Sequence, residues 1–175
     1  MVESMGACRI DWGQAAEAVV RRYCGWHVAP VVTETLVLDV QHASPLLPLP
    51  SLRVEAVHSV EVWTGKDWIE LDAGVYGWSR AGMLQLLYGR FSKGLSNVRV
   101  TLRHGFDAVE AADVLAIVRN VQARGEMELG AVRQQAVNGA SVAYTSTAGG
   151  SLSVPLFQDE KATLDAYRLP AKIAG

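Results

Sequence analysis

The apolar residues of this chain follow a helical period in three segments and a strand period between the first two. Asp11 suits the N-cap of the first helix, and Gln14 completes a capping-box pattern three residues later. Gly25 suits its C-terminal cap, and Glu17 and Arg21 form an i,i+4 pair on the polar face. The apolar face comprises Trp12, Ala15, Ala16, Val19, Tyr23 and Trp26.

Two further helices are predicted in the second half of the chain. The first spans about Val109 to Gly125, and the second begins at Asp159 and ends before Pro170. The apolar stripe of the central helix comprises Ala111, Val114, Ile117, Val118 and Val121. The three helices together predict a small helical core.

Residues 31–104 alternate between apolar and polar positions, which indicates a β-rich insertion between the first two helices. Residues 41–51 contain Pro45, Pro48 and Pro50 and are predicted to form a loop, because proline cannot donate to a strand ladder. The predicted strands are Val32–Asp39, Leu52–Val62 with a bulge at Ala56-Val57, Trp68–Leu71, Val75–Trp78, Met83–Tyr88 and Val98–Arg103.

A second hairpin is predicted after the central helix, where Asn138-Gly139 separates Gln134–Ala136 from Ser141–Tyr144. The small, glycine-rich stretch Thr145–Ser153 is predicted to be a flexible loop. The order of elements predicts an α+β fold in one domain over residues 1–170, a small helical core with a β-rich insertion and a late β-hairpin.

Composition adds an indication of partners. The 175 residues fit one domain of the usual size of about 100–200 residues. The mean hydropathy of +0.14 is high for a soluble monomer, so either the core is large or apolar surface is kept for partners, and the second interpretation is favoured. The net charge of −2 argues against non-specific nucleic-acid binding, which needs clustered Lys and Arg.

The compartment is also suggested by the sequence. Two cysteines, Cys8 and Cys24, are too few for an extracellular disulfide scaffold. The first residues lack the basic and apolar regions of a signal peptide, and no apolar run approaches the ~18 residues that span a bilayer. We therefore expect a soluble protein made in a reducing cytoplasm.

Metal binding is disfavoured by the spacing of the candidate ligands. Cys24 and His27 are close in sequence, whereas Cys8 and His42 lie apart from them. Structural zinc sites usually supply two closely spaced pairs of ligands. Cys24 is therefore interpreted as a buried cysteine at a helix end, and no metal site is predicted.

Catalytic chemistry is equally weakly supported. A cysteine nucleophile needs a base within hydrogen-bond reach, and His58 and His104 are more typical of solvated or core-edge histidines. Acidic residues around 67–72 fit the polarity of a turn, and Gly149-Gly150 lacks the lysine and helix of a phosphate-binding loop. No catalytic residue and no cofactor are predicted.

Three tryptophans, Trp63, Trp68 and Trp78, lie near turns of the β-rich part. They either pack the helix-facing side of the sheet or contact a neighbouring subunit, since large aromatic side chains dominate interface energetics. Packing against the helices is the favoured interpretation.

Five sequence motifs in a fixed order carry a family resemblance. They are Arg21–His27, Leu46–Pro50, Val57–Trp63 (V-x-x-V-x-V-W), Tyr76–Leu84 (Y-x-W-S-R-x-G-M-L) and Asn97–Phe106 (N-V-x-V-T-L-x-H-G-F). With the later hairpin at Val132–Tyr144 and the ending at Asp159–Pro170, which also fit, the chain from about Asp11 to Pro170 resembles the head-to-tail connector (adaptor) proteins of long-tailed bacteriophages, especially those infecting actinobacteria. The chain departs from that pattern in its long loop after Tyr144 and at Glu110-Ala111, where a proline is expected.

The resemblance implies a structural virion protein that is not an enzyme. Such adaptors form a ring of about twelve subunits beneath the portal, where one heterologous interface repeats until the ring closes. The implied partners are further copies, the portal protein and a neighbouring neck or tail protein. Double-stranded DNA would pass through the channel without sequence-specific binding, and no membrane is involved. The implied location is the virion neck, after synthesis in the host bacterial cytoplasm.

The resemblance also implies which segment contacts a partner. In the family the C-terminal segment commonly reaches toward the portal, which here is Asp159–Gly175. Leu164, Tyr167 and Leu169 would be its apolar contacts and Arg168 a polar contact. Deleting this segment is then expected to leave a folded domain that cannot join the portal.

Two alternatives remain open at this point. The first is another neck component, a stopper or tail-completion protein, which would bind the tail rather than the portal. The second is a small intracellular α+β enzyme or ligand-binding domain that uses His58, His104 or Cys24.

Overall fold

A computed structural model describes residues 11–131 and 154–170. The elements are α1 (Trp12–Cys24), β1 (Val32–Val40), β2 (Leu46–Pro48), β3 (Val54–Trp63), β4 (Trp68–Glu70), β5 (Tyr76–Ser79), β6 (Met83–Leu86), β7 (Gly94–His104), α2 (Ala112–Ala131), α3 (Gln158–Leu164) and a 3₁₀ turn (Asp165–Tyr167). This order confirms the α+β class, with a helical core and a β-rich insertion. The predicted hairpin at 134–144 and the loop at 145–153 lie outside the described residues.

The ends of α1 are set by the residues that the sequence suggested. The Asp11 carboxylate accepts hydrogen bonds from the backbone N–H groups of Gly13 and Gln14, at 3.0 and 3.2 Å. Gly25 adopts a left-handed conformation, with φ 83°, and its N–H donates to the carbonyl of Arg21 at 2.8 Å. Both predicted caps are therefore confirmed.

The helices bury their apolar faces against each other in one cluster. The stripe predicted for α2 is buried at Ala111, Val114, Ile117 and Val121. The cluster also contains Trp12, Ala16, Val20 and Cys24 of α1, together with Val154, Leu164 and Leu169 near the end of the chain. Gly125 allows the close crossing of the two long helices, since a Cβ there would overlap the Trp12 ring. Within the described residues, no helix is both long and apolar enough to cross a membrane.

The β-rich insertion forms a sandwich of two antiparallel sheets. One sheet has four strands in the order β1-β7-β3-β4, and the other has three in the order β2-β6-β5. The inward positions predicted for β7, Val98, Val100 and Leu102, are all buried. The second core cluster joins both sheets and contains Val40, Leu47, Leu49, Val54, Val60, Leu84, Phe91, Val98, Val100 and Leu102.

The proline-rich segment 41–51 is not wholly a loop, which corrects the prediction. Leu46–Pro48 form the edge strand β2 and pair with β6, with Pro48 opposite Met83. Proline is tolerated at this place because an edge strand does not need every N–H for its ladder. The predicted bulge is confirmed, since the β3–β7 register shifts on both sides of Ala56-Val57.

The sandwich begins and ends at neighbouring points of the helical core. The N–H of Phe106 donates to the carbonyl of Val28 at 2.7 Å, and the N–H of Gly105 donates to Arg53 at 2.9 Å. Arg53 also binds the carboxylate of Glu110, at 2.9 and 3.1 Å, just before α2. These bonds attach the base of the sandwich to the start of α2.

A second polar connection links α1 to the sandwich. Arg21 donates two hydrogen bonds to the Glu34 carboxylate in β1, at 2.7 and 2.8 Å, in place of the predicted pair with Glu17. Oε1 of Glu34 also lies 2.9 Å from Nε2 of His104 at the end of β7. The Arg21–Glu34–His104 group therefore joins one helix and two strands where the two cores meet.

His104 is fully buried and lies against the Trp26 ring, with ring centroids 6.0 Å apart. Because Glu34 accepts at Nε2, neutral His104 carries its proton there, and Nδ1 has no partner among the described residues. Burial lowers the pKa of His104, although the charge and hydrogen bond of Glu34 oppose this shift. Burial opposes ionisation of Glu34 as well, but Arg21 and His104 together hold its pKa below the usual value.

Acid should weaken the fold through this group. His104 has a lower pKa in the folded chain, so the unfolded chain binds more protons as the pH falls below about 6.5. We expect the free energy of unfolding to fall as the pH is lowered from 7.5 to 5.5, measured by urea denaturation. The contribution of His104 to this fall is at most about 1.4 kcal/mol per pH unit.

The controls use the two strand histidines. His104→Gln should flatten the pH dependence over that range, whereas His58→Gln, at an exposed position of β3, should leave it unchanged. If the free energy of unfolding of the His104→Gln variant and of the unchanged chain depends equally on pH, His104 is not the source of the acid sensitivity.

The turn between β5 and β6 should be intolerant of a side chain at Gly82. This residue has φ +80°, and a Cβ there would overlap the carbonyl oxygen of Ser51. We expect Gly82→Ala to lower the free energy of unfolding by about 2–4 kcal/mol, measured by urea denaturation.

Gly65 provides the matched control for that substitution. It has φ +95° but nothing within 4 Å of the position of a Cβ. Gly65→Ala should therefore lower the free energy of unfolding by only about 1 kcal/mol, which is the strain of an alanine in the left-handed conformation. If both variants lose the same free energy of unfolding, the overlap with Ser51 does not affect stability.

Candidate partner interface

The cysteine and histidine candidates of the first helix are not assembled into a reactive site. Cys24 is 1% exposed, burial raises the pKa of its thiol to about 11, and its Sγ lies 3.9 Å from the carbonyl oxygen of Leu164. A nucleophilic cysteine needs an accessible thiolate, so Cys24 has a structural role, as predicted. His27 contacts the carbonyl of Pro30, and His42 that of Gln41.

The other candidates are dispersed as well. His58 is exposed on β3, His104 is bound to Glu34, and Cys8 lies outside the described residues. Across residues 11–131 and 154–170, no three His, Cys, Asp or Glu side chains are grouped so that they could hold a metal ion. Within these ranges the candidate cysteine and histidine side chains therefore lie apart from one another.

Two of the three tryptophans, Trp63 and Trp78, are exposed, and Trp68 is half-buried. Trp63 is 41% exposed and Trp78 39% exposed, which contradicts the favoured interpretation that they pack against the helices. The physical reason is that each sheet covers the inner face of the other, and the helices bury their apolar faces in a separate cluster. Their alternative role, contact with a neighbouring subunit, stays a prediction.

Trp63 and Trp68 form a cross-strand pair on the outer face of the larger sheet. Their ring centroids lie 5.4 Å apart, and the Arg99 guanidinium lies 4.1 Å from the Trp68 ring centre. Arg99 is in turn bound to Glu61 at 3.1 and 3.2 Å. The Trp68 indole thus contacts both Trp63 and Arg99, which restricts its rotation and lowers the entropy that a partner contact would cost.

The C-terminal segment, residues 154–170, is docked on its own helical core. Leu164 is 0% exposed and Leu169 6% exposed, so both leucines proposed as partner contacts are occupied within the chain. The backbone N–H of Leu169 donates to Cys24 at 2.9 Å, and the Trp26 indole donates to the carbonyl of Tyr167 at 2.7 Å. Tyr167 is half-buried and Arg168 is exposed, and their contact with a partner stays a prediction.

Side-chain bonds reinforce this docking at two places. The hydroxyl of Tyr23 donates to Asp165 at 2.7 Å, and that of Tyr167 lies 3.1 and 3.2 Å from the two carboxylate oxygens of Asp113. These bonds connect the segment to both α1 and α2, since Tyr23 belongs to α1 and Asp113 to α2. The segment is thus part of the domain rather than a free extension.

An ion pair fixes the start of α3. Arg124 of α2 binds Glu160 through two hydrogen bonds of 2.8 Å, and Glu160 also accepts from the N–H of Phe157 at 2.8 Å. Burial opposes ionisation of Glu160, but Arg124 and this N–H hold its pKa below the usual value. The sequence could not indicate this contact, because Arg124 and Glu160 are 36 residues apart.

The fold has counterparts among solved structures. No protein-family profile matches the chain, and no curated protein matches it in sequence. It is similar to a chain in the neck of a native GTA particle computed with C12 symmetry, with a TM-score of 0.56, 14% identity, and coverage of 90% of this chain and 79% of that one. A chain in the neck of an empty GTA particle computed with C6 symmetry gives a TM-score of 0.51, 14% identity, and coverage of 90% and 75%. GTA denotes a phage-like gene transfer agent.

Removal of a buried leucine should show that the C-terminal segment stabilises the domain. We expect Leu164→Ala to lower the free energy of unfolding by about 2–5 kcal/mol, measured by urea denaturation, because it opens a cavity in the helical core. This expectation replaces the earlier one that deletion of Asp159–Gly175 leaves a folded domain.

Two variants of the same region serve as controls. Gln158→Ala, at an exposed position of α3, should change stability by less than about 0.5 kcal/mol. Truncation after Pro170 should leave the buried leucines in place and the domain folded. A Leu164→Ala variant as stable as Gln158→Ala would contradict the docked arrangement.

Proposed function

We propose that this chain is a structural subunit of the neck of a phage-like particle, a head-to-tail adaptor that forms a ring under the portal. The observation that carries the proposal is the likeness over 90% of the chain to neck chains computed with C12 and C6 symmetry. The ordered motifs of the sequence support the same assignment independently of the structure. In this role the ring extends the DNA channel and joins the capsid to the tail.

The surface of the domain suits a permanent assembly. Trp63 and Trp78 are exposed, and tryptophan is strongly enriched among the residues that contribute most to binding. Trp63, Trp68 and Trp78 are proposed to contact a neighbouring subunit or the next neck protein. In a cyclic ring every subunit would use the same pair of unlike surfaces.

The proposed portal contact lies at the end of the docked C-terminal segment. Arg168 is exposed and Tyr167 half-buried there, and Leu164 and Leu169 support them from the core. Residues beyond Pro170 would extend this contact. The small net charge of −2 suits a channel through which DNA slides, since tight phosphate pairing would hold the DNA in place.

Electron microscopy of the purified chain mixed with the portal protein of the same particle tests the proposal. We expect a ring stacked on the portal, with the C-terminal segment at the junction. A ring that joins only the tail-side protein would assign the chain as a stopper or tail-completion protein instead. A monomer that binds neither protein would contradict the neck assignment.

A charge reversal identifies the contact within that assembly. Arg168→Glu should weaken binding to the portal at least about tenfold, because it removes the exposed positive charge of the proposed contact and places a second carboxylate beside Asp165. Arg119→Glu, at an exposed position of α2, is the matched control and should bind normally. Equal binding by both variants would remove Arg168 from the portal contact.

A further inference from the structure

Among the described strands, β1 is the only long one that lies at the edge of a sheet. It has nine residues and pairs with β7 on one side, and no other described backbone group bonds to residues 33–38. The other edge strands, β2, β4 and β5, have three, three and four residues. Alternate backbone N–H and C=O groups of β1 are therefore open to a further strand.

The edge of β1 lacks the usual protections against pairing. Sheet edges are commonly blocked by lysine, by proline or by a bulge. Residues 32–38 contain no lysine or proline, and they keep an unbroken register with β7. Glu34 is the only charged residue of this stretch, and it is bound to Arg21 and His104. The exposed side chains of the stretch are uncharged and belong to Thr33, Thr35 and Val37.

The inward side chains of β1 show that this edge is incompletely covered. Leu36 lies opposite Val100, and Leu38 lies opposite Val98, so the two members of each pair share one face of the sheet. Val98 and Val100 are 1% and 0% exposed, whereas both leucines are only half-buried at the border of the sandwich cluster. A strand added beside β1 would cover the leucines and bury further apolar area.

The segment between α2 and α3 has a sequence suited to this edge. Residues 132–153 lie outside the described residues, and the sequence predicts a hairpin there with Asn138-Gly139 at its turn. An isolated two-stranded hairpin is at best marginally stable in water, so it needs a further strand. Residues 134–153 contain no charged side chain and therefore bring no like charge to Glu34 or Asp39.

The position of this segment favours pairing with a second copy. α2 begins at the base of the sandwich, beside the Arg53–Glu110 pair, and its 20 residues span about 30 Å. The segment follows the far end of α2 and ends at Val154, which is buried in the helical cluster. β1 also begins at the base, but it belongs to the sandwich cluster. α2 and β1 thus extend from the base into different cores, which separates the predicted hairpin from β1 of its own copy.

We infer that the predicted strand Ser141–Tyr144 of one copy adds to the free edge of β1 in the next copy, and that this pairing joins neighbouring subunits. Backbone hydrogen bonds provide its affinity, as in other cases of strand addition, and the half-buried leucines of β1 provide apolar area. The contact joins two unlike surfaces and so repeats around a ring. The inference rests on the proposed function for the ring, but the contact itself requires only a second copy of this chain.

Disulfide cross-linking between two differently tagged full-length chains tests the contact. One chain carries Val37→Cys, and the other carries Ser141→Cys, Val142→Cys, Ala143→Cys or Tyr144→Cys in turn. Both carry Cys8→Ser, and Cys24 stays because it is 1% exposed. A disulfide forms only where the Cβ atoms lie about 3.5–4.5 Å apart, so mild oxidation should give a mixed dimer at some of these positions and not at others. Non-reducing electrophoresis measures the dimer, with and without the portal protein.

Three parallel samples serve as controls for the cross-link. Gln85→Cys replaces Val37→Cys at an exposed position of the interior strand β6, and it should give no mixed dimer. The Val37→Cys chain is also oxidised alone, which detects pairing of two β1 strands. A single chain with both cysteines detects pairing of β1 with its own hairpin.

Blocking the edge provides a second measurement. T35K/V37K places two lysines on β1, where they oppose the addition of a strand. By sedimentation velocity, with and without the portal protein, this variant should associate at least about tenfold more weakly than the unchanged chain. Gln85→Lys is the matched control and should associate as the unchanged chain does. Urea denaturation of each variant verifies that it is folded.

Four outcomes would overturn the inference: a mixed dimer no more abundant than with Gln85→Cys, a disulfide between two Val37→Cys chains, an intrachain disulfide in the chain with both cysteines, or normal association of T35K/V37K. A neck ring that assembles without the cross-link would overturn this contact and leave the neck assignment intact. A chain that cross-links as expected but enters no neck ring would contradict the proposed function and leave the contact standing.

Discussion

The arrangement of this domain depends on the Arg21–Glu34–His104 group between the two cores. The helical cluster and the sandwich cluster each bury their own apolar side chains, so neither determines how the other is oriented. Glu34 accepts from Arg21 of α1 and binds His104 of β7, which fixes the sandwich relative to the first helix. The Arg21 and Glu34 side chains remain 46% and 23% exposed, so water screens their attraction and the pair contributes to the orientation of the two cores more than to stability.

Local patterns were sufficient to predict most of the elements. Asp11 and Gly25 set the ends of α1 by local hydrogen bonding. The alternation of apolar and polar residues over Val98–Leu102 indicates which face of β7 is buried. The strand β2 was missed because prolines in sequence do not reveal that an edge strand can accommodate them. Local rules fail here because pairing with β6 is a tertiary contact.

The candidate interface was less predictable than the fold. Trp63 and Trp78 are exposed because a second sheet, rather than the helices, covers the inner face of the first, and no residue pattern specifies which layer a sheet meets. Leu164 and Leu169 were predicted to contact a partner, but they are 0% and 6% exposed, and the backbone N–H of Leu169 donates to the carbonyl of Cys24. Apolar residues in a short terminal helix therefore do not identify an interface by themselves.

The hydrogen bond between Phe106 and Val28 has an evolutionary consequence. It brings the two ends of the inserted sandwich side by side, so the helical core closes on itself without the strands between them. An insertion with adjacent ends can be enlarged, shortened or exchanged while the helices keep their packing. The helical core can therefore keep its packing while the sandwich changes in size and sequence.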